Sequence, residues 1–342
     1  MAAIQECITA LPVSHEEPTP PRASAAGRGA APVSVIVVSW NARHHLRNCL
    51  ASIRRECAPL VREVIVVDND SADGSPEMVE REFSEVVLVR AGRNLGFAGG
   101  NNLAMERASG SLFALINSDV VLHPGCLQRL VEHLQEHPEV GLVGPCIVGA
   151  DAKVQGSCRR LPTVWNNACR ALGLDLLFPR VPFLSSHEMR HFRHDVRLEA
   201  EVLSGCFWMA RRSAVRAVGP LDERYFFYME DVDWCRRFHE VGWKLVFLPD
   251  ARATHFGGGS SSNAPIRYSI QYHRSNLSYW HKYHGAAGRA VYRSVAVTHH
   301  LLRLAVRTTR CALRVGLTEA SRHKLREDVA CLRWLVTGRA VE

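Results

Sequence analysis

The first half of the chain alternates short apolar runs with polar turns and amphipathic stretches. The β-branched run Val33–Ser39 predicts a strand that is buried on both faces, as in a parallel sheet. Residues 44–55 then predict a helix, residues 63–68 a second buried strand and residues 86–89 a third. Strands and helices in this order are typical of an α/β domain with a mostly parallel sheet between helices.

Polar residues end these apolar runs. Residues 111–119, with the sequence SLFALINSD, predict another buried strand that is followed by an acid, Asp119. Asn41 follows the first strand, and Asp68 ends the second. Open α/β sheets bind ligands at the carboxyl ends of their strands, so we expect these side chains to line one crevice. For any single one of them, a plain strand-to-helix turn is the alternative interpretation.

A glycine-rich stretch, residues 94–102, lies between the third strand and a helix predicted at residues 103–108. Glycines let a backbone approach a ligand closely and amides at a helix start favour anions, although a plain connection is the alternative. A dehydrogenase fingerprint would place GxGxxG directly after the first strand, and this sequence does not. Between the second and third strands, Ser75 and Pro76 predict an N-cap and a first helical position.

Another strand is predicted at residues 202–212, with Ser204 and Gly205 at a bulge or a close backbone approach. Trp208 in this strand fits a core aromatic when it is taken in isolation. The preceding residues 159–197 have no clean period, which predicts a long insertion that covers the active site as a lid.

A helix is predicted in the sequence FFYMEDVDWCRRF, and it carries a Glu-Asp pair. Asp231 shares an i, i+3, i+4, i+7 stripe with Trp234, Cys235 and Phe238, so its carboxylate lies on the packed face. Burial beside Glu230 raises the proton affinity of such a carboxylate, which suits a general base. Acids that complement the helix macrodipole are the alternative interpretation.

The amino-acid composition limits the kinds of protein that this chain can be. With 342 residues, 47% of them hydrophobic and 22% charged, the chain is an ordinary soluble globular protein. Its 11 cysteines include no CxxC pair, which argues against a disulfide framework or a structural zinc site and favours reduced cytoplasmic thiols. The net charge of +8 resides near the end, where residues 266–342 carry 14 Lys and Arg against 4 Asp and Glu. A nucleic-acid footprint over the whole domain would distribute the charge differently.

Four motifs, in order along the chain, carry a resemblance to a known family. VSVIVVSWN, VVDNDSADGS, NLGFAGGNN and LINSD resemble the nucleotide-binding half of inverting family 2 glycosyltransferases with the GT-A fold, most of all bacterial rhamnosyltransferases. The resemblance covers about residues 33–285. It implies a Rossmann-like mixed sheet, a nucleoside diphosphate sugar donor and single displacement with inversion at the anomeric carbon. It also implies cell-surface polysaccharide synthesis, with a saccharide or polyprenyl-linked acceptor and rhamnose as the suggested sugar.

The resemblance assigns roles to residues at matching positions. It implies that the donor nucleotide and diphosphate are bound by Ser39, Asn41, Asp68, Asn94, Gly96, Asn117, Asp119 and Arg274. It also implies that a divalent cation, Mg²⁺ or Mn²⁺, is bound by Asp119 and His255. In this sequence Asn117 replaces one carboxylate of the family's usual Asp-x-Asp motif. A structural role is the alternative for His255. By the same resemblance Asp231 is the catalytic base, and the acceptor is contacted by Ser204, Gly205, Trp208 and Glu230.

These patterns divide the chain into three parts. Residues 1–32 are rich in Pro, Ala, Ser and Gly, which predicts a flexible leader rather than a secretion signal. Residues 33–265 predict one GT-A domain, with a nucleotide-binding half at 33–120 and an acceptor half at 121–265. Residues 266–342 predict a helical basic region, and no apolar window is long enough to predict a transmembrane helix.

In the basic region, one helical stripe of arginines lies opposite apolar residues: Arg303, Arg307, Arg310 and Arg314 against Leu301, Ala305, Ala312 and Val315. Such a helix fits an anionic membrane surface, with a solvated outer face of a packed helix or a nucleic-acid contact as alternatives. Polyprenyl-borne acceptors, which the resemblance implies, favour the membrane over nucleic acid. We therefore predict a cytoplasmic protein, peripheral at the inner face of the cell membrane.

Two other functions remain open from the sequence. A sugar nucleotidyltransferase would need a glycine-rich loop with a basic residue directly after the first strand, where Ser39, Trp40 and Asn41 stand. A non-catalytic relative that only binds a sugar nucleotide would keep the crevice but show no turnover.

Overall fold

The apolar runs form strands, and most of these strands join one central sheet. The computed structural model describes residues 33–56, 59–257, 265–312 and 319–339, so the predicted leader lies outside the described residues. The strands are β1 (Val33–Ser39), β2 (Val61–Asp68), β3 (Val87–Arg90), β4 (Leu112–Asn117), β5 (Val120–Leu122), β6 (Val140–Val148), β7 (Cys158–Arg159), β8 (Leu198–Glu199), β9 (Val202–Leu203), β10 (Phe207–Arg211) and β11 (Lys244–His255).

Helices lie between these strands and follow the last of them. They are α1 (Arg43–Glu56), α2 (Ser75–Glu82), α3 (Gly96–Arg107), α4 (Cys126–Glu136), α5 (Val164–Ala171), α6 (Leu174–Leu177), α7 (Arg212–Val218), α8 (Glu230–Glu240), α9 (Pro265–Ala312) and α10 (Glu319–Thr337). The long α9 is kinked at Gly285, whose φ of 62° is not helical.

Within the described residues, nine strands form a mixed sheet in the order β3-β2-β1-β4-β10-β6-β11-β5, with β8 paired to β11. Strands β1 to β4 pair in parallel, as crossover helices require, whereas β10 is antiparallel to both β4 and β6. The register pairs Ser39 with Asp68 and Val38 with Asn117, which brings three strand ends to one edge. The predicted α/β fold with a mostly parallel mixed sheet is confirmed.

The central strands are buried on both faces. Val35 and Val37 belong to an apolar cluster with Leu46 of α1, whereas Ile36 belongs to the cluster on the other face with Trp208. Successive strand side chains point to opposite faces, so a strand covered on both sides must be apolar at nearly every position. Each such side chain contributes about 1.5–3 kcal/mol of burial free energy, which explains the continuous run in β1.

The start of α2 differs from the sequence prediction. Gly74, with a φ of 79°, occupies the cap position, and Ser75 is the first helical residue. Asp73 Oδ1 accepts hydrogen bonds from the Ser75 amide at 3.0 Å and from its hydroxyl at 2.6 Å. The prediction of Ser75 as the N-cap is therefore wrong, because the preceding aspartate supplies the oxygen that a capping side chain would provide.

Helix α3 begins at Gly96 and not near residue 103, so most of the predicted glycine-rich loop is helical. Glycines are poor helix formers, which is why the sequence favoured a loop. The helix is held by close packing instead: a Cβ on Gly100 would lie 2.7 Å from Val38 Cγ1. Glycine at this position lets the helix lie directly on β1.

Two arginines of the predicted basic stripe pair with an acid of the second tail helix. Arg303 Nε lies 3.5 Å from Asp328 Oδ1 of α10, and Arg307 also pairs with Asp328. Leu301, on the apolar side opposite this stripe, is 52% exposed. Arg303 and Arg307 turn toward α10 because the buried Asp328 carboxylate requires cationic partners. Arg314 lies outside the described residues, and none of the described helices combines the length and apolarity needed to cross a bilayer.

The insertion at residues 159–197 forms short elements that lie against the tail. Helix α5 starts with a capping box, in which Thr163 Oγ1 accepts from the Asn166 amide at 3.1 Å and Asn166 Oδ1 from the Thr163 amide at 2.9 Å. At its other end, His299 Nδ1 of α9 lies 3.2 Å from the Ala171 carbonyl oxygen. The insertion and α9 therefore form one packed unit beside the sheet.

Candidate active site

The carboxyl ends of β1 and β2 carry two buried polar atoms. Ser39 Oγ and Asp68 Oδ1 have no hydrogen-bond partner among the described residues, although Ser39 is 1% exposed and Asp68 3%. The other oxygen of Asp68 accepts from the Ser71 amide at 3.0 Å, which fixes the carboxylate. Buried polar groups are normally hydrogen-bonded, so this pair marks a place where a polar ligand completes the bonding.

Asn41 and Asn94 shape the loops around this crevice. Asn41 Oδ1 accepts from the Ala72 amide at 2.8 Å, and Asn94 Oδ1 accepts from the Gly96 amide at 2.9 Å. Gly96 has a φ of 73°, and a Cβ there would lie 2.5 Å from the Phe226 carbonyl oxygen. The start of α3 is thereby fastened to the loop that precedes α8. Both asparagine oxygens hold the protein's own backbone, which leaves their amide nitrogens for the predicted nucleotide contact.

Asp119 and His255 come together where β5 pairs with β11. His255 Nε2 lies 3.4 Å from Asp119 Oδ1. On the other side of the ring, Gln155 Oε1 lies 3.0 Å from His255 Nδ1, and Gln155 Nε2 donates to the His255 carbonyl oxygen at 3.0 Å. An amide oxygen only accepts, so Nδ1 carries a hydrogen and Nε2 is the ring nitrogen that faces Asp119.

The Asp119 carboxylate is ionised although it is half-buried. Burial opposes ionisation, but the hydrogen bond and charge of His255 outweigh it and lower the pKa of Asp119. A carboxylate oxygen and a ring nitrogen at this separation are close enough to share a proton or to bind one cation. Carboxylate and imidazole are both accepted ligands of divalent metal ions, so the pair fits a cation site.

A short segment, residues 204–206, links this crevice to the start of α8. The Asn117 amide at the end of β4 donates to the Cys206 carbonyl oxygen at 2.9 Å. On the other side, a Cβ on Gly205 would lie 3.3 Å from Asp231 Cβ. The segment therefore brings Asp231 to the edge of the sheet where β4 ends, with Ser204 and Gly205 beside it.

Asp231 lies in the first turn of α8 and is 8% exposed. Its Oδ2 forms an ion pair with Arg159, and its Oδ1 accepts from the Val232 amide at 2.8 Å. These two contacts orient the carboxylate. A carboxylate has about four acceptor sites, so both oxygens keep room for a substrate hydroxyl. The predicted packed face is confirmed, since Trp234, Cys235 and Phe238 are each 0% exposed.

Glu230 is protonated at neutral pH. Burial raises the pKa of Glu230 to about 8, and the negative charge of Asp231 adds to the effect. The preceding Tyr228 and Met229 have φ values of 68° and 71°, a strained conformation for residues with side chains. This raised proton affinity belongs to Glu230, the neighbour of the predicted base Asp231.

Glu230→Gln is expected to raise the melting temperature at pH 8.5 by at least about 2 °C and to leave it unchanged at pH 4.5. A change of ~1 kcal/mol in the free energy of unfolding shifts the melting temperature of a domain of this size by ~2–4 °C. The pKa of Glu230 rises from 4.5 to about 8 on folding. The stabilising preference for the protonated form is fully present below pH 4.5 and is lost as the pH rises to about 8. Glutamine does not ionise, so the variant does not lose stability in this way as the pH rises. Thermal unfolding of both proteins tests this, with Glu240→Gln on the exposed end of α8 as the control.

Two predicted site residues do not face the crevice. Trp208 is 0% exposed, its Nε1 donates to the Leu203 carbonyl oxygen at 3.2 Å, and its ring centroid lies 5.3 Å from that of Trp234. Its prediction as an acceptor surface is wrong, because the ring is part of the core. Arg274 is exposed on α9 with its guanidinium 5.8 Å from the Trp334 ring centroid, so its described contact is with α10 and not with the strand ends.

Gln155 and Arg159 are functional candidates that sequence reasoning missed. Gln155 contacts His255 from 100 residues away, and Arg159 contacts Asp231 from 72 residues away. No sequence spacing indicates contacts of this range. The sole hint is that both lie in one polar segment, QGSCRR, shortly after an apolar strand.

Comparison with known proteins agrees with this arrangement. The family model described as "Glycosyl transferase family 2" matches residues 34–219. The chain is 29% identical over 284 residues to the N-acetylglucosaminyl-diphospho-decaprenol L-rhamnosyltransferase of Mycobacterium tuberculosis. That alignment covers 78% of this chain and 92% of the relative.

Solved structures share the fold. The mannosyltransferase PcManGT from Pyrobaculum calidifontis, in complex with GDP-Man and Mn²⁺, matches with a TM-score of 0.51 and 16% identity over 90% of this chain and 87% of that one. GalNAc-T7 with UDP, GalNAc and Mn²⁺ matches with a TM-score of 0.55 and 14% identity over 91% of this chain and 56% of that one. These likenesses show the GT-A fold. Because the family model spans more than half of the chain, the protein belongs to glycosyl transferase family 2 and is a glycosyltransferase.

Proposed function

We propose that this glycosyltransferase moves a sugar from a nucleoside diphosphate sugar to a hydroxyl of a lipid-linked saccharide, with inversion, during synthesis of a cell-surface polysaccharide. The proposal that the protein binds a nucleoside diphosphate sugar rests on two buried atoms without a hydrogen-bond partner in the described part of the chain. They are Ser39 Oγ and Asp68 Oδ1, at the ends of adjacent strands. A base and a ribose supply the N–H and O–H groups that such oxygens accept. The mycobacterial relative is named for L-rhamnosyl transfer to N-acetylglucosaminyl-diphospho-decaprenol, which favours rhamnose and a polyprenyl-borne acceptor.

Asp119 and His255 are proposed to hold a divalent cation, Mg²⁺ or Mn²⁺. The carboxylate oxygen and the ring nitrogen lie 3.4 Å apart, and Gln155 fixes the ring so that the correct nitrogen faces the carboxylate. Two protein ligands suffice when phosphate oxygens and waters complete the coordination. A cation at this position supplies charge neutralisation for the diphosphate leaving group. Asn94, Gly96 and Asn117 would shape the pocket around that diphosphate.

Asp231 is proposed as the general base. Its carboxylate accepts the proton of the attacking hydroxyl while that oxygen strikes the anomeric carbon from the face opposite the diphosphate. Arg159 holds the carboxylate in position. Glu230, protonated at neutral pH, donates a hydrogen bond to the acceptor. A single displacement of this kind inverts the configuration.

The basic region is proposed to keep the protein at the inner face of the cell membrane, where a polyprenyl-borne acceptor lies. Arg289, Arg293 and Arg310 are exposed on α9. Each basic residue near an anionic surface contributes about 1 kcal/mol, so a few of them give reversible association.

Thermal unfolding with a panel of nucleotide sugars, with and without Mn²⁺, tests the proposal. We expect one nucleotide sugar to stabilise the protein, by about 2.7 kcal/mol at a concentration 100 times its Kd, and more strongly when Mn²⁺ is present. Transfer to a saccharide on polyprenyl diphosphate should follow with that donor. Absence of stabilisation by every nucleotide would contradict the proposal. Stabilisation without any transfer or hydrolysis would favour the non-catalytic alternative, and formation of a nucleoside triphosphate from donor and pyrophosphate would favour a nucleotidyltransferase.

A further inference from the structure

A cavity of about 620 Å³ lies between the insertion, the loop before α8 and the tail helices. None of the strand-end residues assigned to the donor lines it. Its walls include four tyrosines and two arginines: Tyr228, Tyr268, Tyr272, Tyr292, Arg170 and Arg303. Ligand pockets have volumes of about 300–1,000 Å³, so this cavity has room for a saccharide with a charged substituent.

The tyrosines of the wall suit a sugar. Aromatic faces pack against the apolar face of a pyranose, and phenol hydroxyls exchange hydrogen bonds with its hydroxyls. His273 and His299 also line the cavity. Burial lowers the pKa of His273 to about 3 and that of His299 to about 4, so both rings are uncharged at neutral pH. Their nitrogens are already paired within the protein, so they add shape but no charge to the wall.

The two arginines suit a phosphate. Arg170 Nη1 donates to the Tyr272 hydroxyl at 2.8 Å, and Arg303 Nη1 lies 3.2 Å from His299 Nε2. A guanidinium has five N–H donors, so each arginine keeps donors for phosphate oxygens. The acidic residue of the wall is Glu327, and its carboxylate accepts a hydrogen bond from the Ser269 hydroxyl. The wall therefore carries more positive than negative charge.

Two links run from the cavity wall toward the proposed base. Tyr228 in its wall stands two residues before Glu230 in the strained loop that starts α8. Arg170 Nη1 lies 3.5 Å from Glu188 Oε1, and the charge of Arg159, the partner of Asp231, also acts on Glu188. These links are the reason to consider the Glu-Asp pair as the partner of a ligand in this cavity.

Apolar side chains surround the outer side of the cavity. Leu172, directly after the wall residue Ala171, is 54% exposed, and Leu177 and Phe183 farther along the insertion are 70% and 65% exposed. On α9, Leu301 beside the wall residues is 52% exposed. Exposed apolar surface of this extent marks a membrane or partner contact. The exposed charge within residues 172–183 is basic, at Arg180, which matches an anionic bilayer.

We propose that this cavity binds the head of the acceptor, a saccharide on a lipid diphosphate, with the sugar against the tyrosines, the diphosphate at Arg170 and Arg303, and the apolar rim against the bilayer. The inference rests on the proposed function and adds to it the place where the acceptor binds. It also gives the insertion a role, since α5 forms one wall of the cavity.

Binding of two probes to the full chain tests the inference. The probes are N-acetylglucosaminyl-diphospho-polyprenol in anionic vesicles and soluble N-acetylglucosamine 1-phosphate. We expect Arg303→Gln, which removes a phosphate donor, and Ala171→Trp, which fills the cavity, each to weaken binding of the vesicle probe by about 10-fold or more, the size of one lost charge-assisted hydrogen bond. The control Arg216→Gln, exposed on α7 and away from the tail helices, should bind like the wild type. Equally tight binding of the soluble probe would overturn the lipid part of the inference.

Nucleotide binding by the same variants separates this inference from the proposed function. Variants that lose the vesicle probe but keep stabilisation by the donor nucleotide support the cavity as the acceptor site. If both variants bind the vesicle probe like the wild type, the inference is overturned while the proposed function stands. If the wild type binds no nucleotide at all, the proposed function fails instead, whatever the cavity binds.

Discussion

Asp231→Asn is expected to slow sugar transfer by about 10²–10⁴-fold, the usual contribution of a general base. Asparagine keeps the shape of the side chain and still accepts from the Val232 amide, but it cannot take a proton. Donor binding should be unchanged, since the unpartnered polar atoms that we assign to the nucleotide lie on Ser39 and Asp68. The rate of a single turnover with saturating donor and acceptor, together with stabilisation by the nucleotide, measures both effects.

Two further variants make this result specific. Glu240→Gln removes a carboxylate from the exposed end of the same helix and should leave the rate unchanged. Glu230→Gln tests the neighbouring acid as the base. If Glu230 were the base, the wild-type rate would rise with pH through about 8, where this carboxyl ionises, and Glu230→Gln would be the more damaging change. That outcome would reverse our assignment of the two acids.

The strand-end half of the site could be predicted from the sequence because the signals are local. β-branched runs define the buried strands, and a parallel sheet brings all their carboxyl ends to one edge. Asp68 and Asp119 are therefore placed once the strands are recognised. Asp231 follows from helical period alone, since it shares a face with Trp234 and Phe238, both 0% exposed. Register then adds what local patterns lack, namely the pairing of Ser39 with Asp68.

Tertiary packing decided what the sequence could not indicate. The glycine-rich stretch is helical because Gly100 lies directly on Val38, a contact that outweighs low helix propensity. Arg303 and Arg307 of α9 face α10 because Asp328, on the next helix, is buried beside them. Trp208 fits a core aromatic in isolation and an acceptor surface by the resemblance, and its packing against Trp234 decides for the core. In each case the deciding residue is remote in sequence.

Asp119→Asn is expected to weaken Mn²⁺ binding by at least about 100-fold, because loss of even an outer partner of a metal ligand costs ~10–100-fold. The substitution keeps an oxygen near His255 Nε2 but removes the negative charge. Gln155→Ala should cost less, since Gln155 only fixes the ring through His255 Nδ1 at 3.0 Å. Titration of Mn²⁺ by electron paramagnetic resonance, with and without the nucleotide, measures these affinities. Asp151→Asn, at an exposed carboxylate paired with Lys153, is the matched control.

A cluster of histidines in the tail is the alternative location for the Mn²⁺ site. Among the described residues, His273, His300 and Cys331 also bring three metal-ligating atoms together. The imidazoles, however, already form a chain: Asp328 Oδ1 accepts from His300 Nδ1 at 3.0 Å, the two Nε2 atoms lie 2.9 Å apart, and the Tyr292 hydroxyl lies 2.9 Å from His273 Nδ1. Every ring nitrogen is then used, with His273 Nε2 donating to His300 Nε2, and no lone pair is left for a cation. Mn²⁺ should therefore bind normally to His273→Gln and poorly to Asp119→Asn, and the reverse pattern would move the cation from the strand ends to the tail.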